Sequence, residues 1–116
     1  MVFALDNENG ELVVLASPLD APAHCEPIDV KDGFWLFFAE DGSPLEAWFE
    51  DPAGAEDSPD APGEFALERA MSGLWLQERL DQVTAVSGCG LATVEAVAET
   101  LKQNRLKRVM ADRRRA

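Results

Sequence analysis

The stretch GFWLFFAEDGSPLEAWFE, residues 33–50, constrains the fold of this chain more than any other. Two apolar, ring-rich runs flank Asp41-Gly42, a pair suited to a tight turn, and Pro44 closes it. The segment reads as a β-hairpin. A hairpin needs one apolar face to join a core, yet here both faces carry aromatic side chains. An even-length loop puts Phe34, Leu36 and Phe38 on one face with Leu45, Ala47 and Phe49, which assigns that face to the core. The opposite face then carries Trp35 and Phe37, with Glu46, Trp48 and Glu50 across from them. A two-residue loop makes the two indoles direct neighbours. Indoles among carboxylates are either covered by helices or left open to hold a partner.

Upstream, the apolar runs at residues 2–5 and 12–16 enclose Asn9-Gly10, which predicts a first hairpin. The following SPLDAPAHCEPID contains Pro18, Pro22 and Pro27, which predicts an extended surface connector. Residues 51–63, DPAGAEDSPDAPG, read as an acidic linker without periodicity. From Glu64 the spacing turns helical, through Leu67, Ala70, Met71 and Leu74, then Leu76, Leu80 and Val83. Ser72-Gly73 marks a kink or break. A further helix follows on Leu91, Val94, Val97, Ala98 and Leu101, with a continuation through Leu106, Val109 and Met110.

These elements predict a single α+β domain over residues 1–116: a small antiparallel sheet of two hairpins, about four strands, packed with two or three C-terminal helices. Its parts are a β half (1–50), the acidic linker (51–63), a helical half (64–110) and a basic tail (111–116). Expected core positions are Phe3, Leu5, Val14, Phe34, Leu36, Phe38, Phe49, Leu67, Met71, Leu74, Leu80, Val83, Val94, Val97 and Leu101. A chain of 116 residues buries enough surface to need no disulfide or metal staple.

Charge is distributed unevenly. The net charge is −12, but residues 1–101 carry 21 acidic and three basic residues, a net of −18. Residues 102–116 carry seven basic residues against Asp112 alone, a net of +6. An acidic body repels nucleic-acid phosphates and attracts basic proteins.

Catalytic and metal signatures are missing from the pattern. His24 is the only histidine and lies in the proline-rich connector, a poor support for a catalytic triad. His24, Cys25 and Cys89 lack the spacing of a metal site. The glycines form no phosphate-binding loop. Neither cofactor nor metal is expected, and a non-enzymatic role follows. Two cysteines are too few for a disulfide framework, and no export signal or membrane span is visible, so a cytoplasmic address is expected.

Residues 83–97, VTAVSGCGLATVEAV, resemble a helix-turn-helix: Val83 and Val86 on a first helix, Gly88 at the turn, and Thr93, Val94 and Val97 on a second. Thr84 departs from the small residue usual at the tight contact. The second helix offers Thr93 as its only base-reading candidate, beside Glu95 and Glu99. Two readings of function result. The favoured one is an acidic protein-interaction module of inhibitor, immunity or adaptor type, gripping a basic partner through Trp35, Phe37, Glu46, Trp48 and Glu50. The alternative is a small DNA-binding regulator using Thr93 with the phosphate-binding residues Arg105, Lys107, Arg108, Arg113, Arg114 and Arg115.

Overall fold

Continuous apolar runs, rather than alternating ones, mark the centre of the sheet. The computed structural model describes residues 1–49 and 65–115. In β1 (Val2–Asp6), Val2 through Leu5 are all buried, because both faces of the strand are covered. β1 pairs antiparallel with β2 (Glu11–Leu15) on one side and with β3 (Trp35–Ala39) on the other. β4 (Pro44–Phe49) and β5 (Phe65–Arg69) extend the ladder antiparallel beyond β3. β6 (Ala85–Ser87) joins the far edge, parallel to β2. Among the described residues the result is one mixed six-stranded sheet in the order β5-β4-β3-β1-β2-β6.

The first hairpin is as the sequence predicts. Asp6 Oδ1 accepts hydrogen bonds from the Glu8 and Asn9 N–H groups, and the Gly10 N–H closes onto the Asp6 carbonyl. The next connector is not extended. Pro18 opens a 3-10 turn (Pro18–Asp20), followed by the short helices α1 (Ala21–His24) and α2 (Pro27–Lys31). Proline's fixed φ suits a first helical turn, where its missing N–H costs nothing. β2 and β3 both run antiparallel to β1, so the connector crosses one face of the sheet. There it buries Ala21, Cys25 and Val30 against Val2, Ala4, Leu15 and Phe37.

The expectation of four strands followed by a helical half is corrected. The residues at helical spacing after Glu64 form β5, a loop and a 3-10 segment (Leu76–Gln82). β5 takes up the free backbone edge of β4, so Leu67 joins the core as a strand residue, while Met71 is 99% exposed and Leu74 46% exposed. Residues 83–97 form no helical hairpin either: Ala85–Ser87 is the parallel strand β6, and only the second half is helical. Gly88 follows β6 at φ 99°, so close to β2 that a Cβ would collide with the Val14 carbonyl oxygen. One long helix, α3 (Val94–Arg115), then runs to the end of the described chain. The 3-10 segment and α3 cover the second face, burying Leu76, Val97 and Leu101 against Phe3, Leu5, Leu12, Val14 and Phe38. The whole predicted linker, residues 51–63, lies outside the described residues together with Glu50 and Glu64.

Loop parity decides the second hairpin. The Ala39 N–H bonds the Ser43 carbonyl at 2.8 Å, leaving Glu40, Asp41 and Gly42 as a three-residue loop with Gly42 at φ 90°. Phe37 therefore faces Leu45 and Phe38 faces Pro44. With an odd loop, Leu45, Ala47 and Phe49 share the first face with Trp35 and Phe37 rather than with Phe38. Leu36 and Phe38 pack on the second face, and Phe34 stands 41% exposed instead of in the core.

Candidate functional site

That register separates the two tryptophans. Trp35 is partly buried under the crossover, its ring edge-on to His24 with centroids 6.3 Å apart. Phe37 is buried and packs on Phe65 at 5.8 Å. Neither belongs to an open surface. Glu46 and Trp48 point to the second face, where both are exposed, Trp48 at 58%. Glu50 lies outside the described residues.

What Glu46 and Trp48 meet instead comes from β5. Trp48 faces Ala66, and Glu46 faces Glu68 in the ladder, with Ala66 and Glu68 also exposed. α3 and the 3-10 segment cover the second face over the inner strands, and leave this outer part, over β4 and β5, open to solvent. The open part is an acidic shelf around one indole. Two carboxylates directly opposed across an antiparallel pair repel, and among the described residues no cation offsets them. The helical reading of residues 64–74 hid Ala66 and Glu68. The alternation of Phe65 and Leu67 was the signal for a strand there.

Of the described basic side chains of α3, two are engaged by the body of the protein. The Arg105 guanidinium sits 5.3 Å from the Trp75 ring centroid. Arg108 donates to Asp41 Oδ2 at the tip of the β3–β4 hairpin. Asp41 Oδ1 accepts from the Ser43 hydroxyl at 2.7 Å and the Ser43 N–H at 3.0 Å. Burial alone would raise the Asp41 pKa; the Ser43 bonds and then Arg108 outweigh it and hold the carboxyl below its usual value. Lys107 is exposed and lines a cleft of about 600 Å³ between that hairpin tip and α3, with Arg69, Glu40 and Asp112. Arg113 is exposed, and Arg114 and Arg115 form the last residues of α3. Thr93 caps α3: its hydroxyl accepts the Ala96 N–H at 3.1 Å.

Among the described residues no group of three or more His, Cys, Asp or Glu side chains is placed to hold a metal, and no helix is long and apolar enough to cross a membrane. Family models, curated proteins and solved structures were compared with this chain. None matches.

Proposed function

We propose that this protein is a non-enzymatic interaction module that holds a basic segment of a protein partner on the β4–β5 shelf, in the cytoplasm. The observation that carries the reading is the pairing of Glu46 with Glu68 beside the 58%-exposed Trp48. Opposed, exposed carboxylates on this face repel each other until a cation bridges them. An adjacent indole offers a face on which a guanidinium or an aliphatic stem packs. The net of −18 over residues 1–101 adds long-range attraction, so encounter is fast and sensitive to salt.

The test is calorimetric titration with an arginine-rich amphipathic peptide at low and high salt. Glu46→Lys, Glu68→Lys and Trp48→Ala together weaken binding about tenfold or more while leaving the fold intact. Unchanged affinity in the triple variant sinks the reading. Duplex binding by the basic end of α3 has less support, because Trp75 and Asp41 already engage Arg105 and Arg108 and Thr93 serves as a cap.

A further inference from the structure

α3 has two faces, and among the described residues only one has a partner. Val97, Leu101, Asn104 and Arg108 recur three and four residues apart on the inner side. Val97 and Leu101 are fully buried, the Asn104 amide donates to the Glu40 carbonyl at 2.8 Å, and Arg108 bonds Asp41. The outer side carries Lys102, Leu106, Val109, Met110 and Arg113 at the same spacing. Leu106 is 50% exposed, Val109 44% and Met110 58%, and Lys102 and Arg113 are exposed at either end of this apolar stripe. The stripe is basic and apolar. The β4–β5 shelf is acidic and aromatic. A second α3 on the same helical stripe would set cation against cation, so a symmetric helix pair is disfavoured.

We infer that the occupant of the shelf is the outer face of α3 from a second copy of this chain. A helix laid on the uncovered β4–β5 part of the second face continues the helical layer that α3 and the 3-10 segment already form over the inner strands. Leu106, Val109 and Met110 cover Trp48 and Ala66, while the cation at one end of the stripe, Lys102 or Arg113 according to the helix direction, meets the Glu46–Glu68 pair. The contact joins two different surfaces of the molecule, so each copy keeps one free shelf and one free helix. Association is therefore head-to-tail and open-ended unless a ring closes. The inference rests on the proposed role of the shelf as a site for a basic segment and names that segment.

The experiment is sedimentation velocity on the full chain across a concentration series at low and high salt. The wild type grows beyond a dimer with concentration at low salt and returns to monomer at high salt. Glu46→Lys with Glu68→Lys removes the shelf, and Lys102→Glu with Arg113→Glu removes the helix face. Each double variant alone is monomeric, and an equimolar mixture of the two forms 1:1 dimers that grow no further, because one competent shelf meets one competent helix. A wild type that stays monomeric at low salt overturns the inference, as does association that survives in either double variant alone. The arginine-rich peptide separates this from the underlying reading. If the peptide binds the monomeric wild type and loses affinity with the shelf variant, the shelf holds basic segments but not this one. If the peptide also fails, both readings fall.

Discussion

Arg108 on α3 reaches back 67 residues to Asp41 at the tip of the β3–β4 hairpin. This ion pair, with the Asn104 bond to Glu40, fixes the middle of α3 to the sheet. It orients the helix so that Leu106, Val109 and Met110 face away from the core. Asp41 is almost fully buried, whereas the Arg108 side chain is 38% exposed.

Removing the carboxyl should therefore cost more than an exposed ion pair would. Asp41→Ala strands Arg108 and leaves the Ser43 donors without their acceptor; a loss of about 2–3 kcal/mol is expected from urea unfolding. Arg108→Met retains the stem packing and loses less, because Asp41 keeps its Ser43 bonds and Arg108 is partly solvated.

The same carboxyl gives the stability an acid limb. Its folded pKa lies below the ordinary value of 3.8, so its contribution is complete above that pH and is lost as pH falls through the lower folded value. Asp6, held down by hydrogen bonds from Asn9 and Glu8 against a raising effect of burial, behaves in the same direction. Asp41→Asn should flatten the loss of stability below about pH 4 relative to wild type, with the Asp6 part of the limb retained. Unfolding midpoints measured from pH 7 down to pH 2.5 check this; an unchanged acid limb contradicts it.

The two thiols differ in reach. Cys25 is buried under the crossover, and burial, with the nearby Asp29 charge, pushes its pKa up to about 11. Cys89 is exposed in the loop after β6. A colorimetric thiol reagent at pH 8 should modify Cys89 quickly and Cys25 only on the timescale of unfolding. Cys89→Ser should abolish the fast phase.

Gly88, directly after β6, lies close against Val14 of β2. Gly88→Ala puts a methyl group into the Val14 carbonyl at a positive φ, and a loss of about 1–3 kcal/mol follows, read from thermal or urea unfolding.

Exposure separates Leu101 from Trp48 on the second face. Leu101→Ala empties a fully buried site and should cost about 2–5 kcal/mol. Trp48→Ala, at a 58%-exposed position, should change stability by no more than about 0.5 kcal/mol while weakening peptide binding. A large stability loss at Trp48 would place it in the core instead.

Several features were legible in the sequence because their causes are local. Asn9-Gly10 and Asp41-Gly42 fixed two turns, since Gly10 at φ 76° and Gly42 at φ 90° take a backbone angle that few other residues accept. The runs VFAL, LVVL and WLFF marked strands, and their lack of alternation is the signature of a sheet covered on both faces. The split of charge at residue 101 located the basic end of α3. Tertiary structure decided the rest. One extra residue in the Glu40–Gly42 loop turned β4 over, moving Leu45, Ala47 and Phe49 to the other face and parting Trp35 from Trp48. β5 and the three-residue β6 exist because the edges of β4 and β2 offered unpaired backbone groups, a cause lying 16 to 24 residues away from β5 and 74 away from β6. Spacing within a short window cannot register such a partner, and so the helical spacing after Glu64 misread β5, whose conformation was decided by pairing with β4.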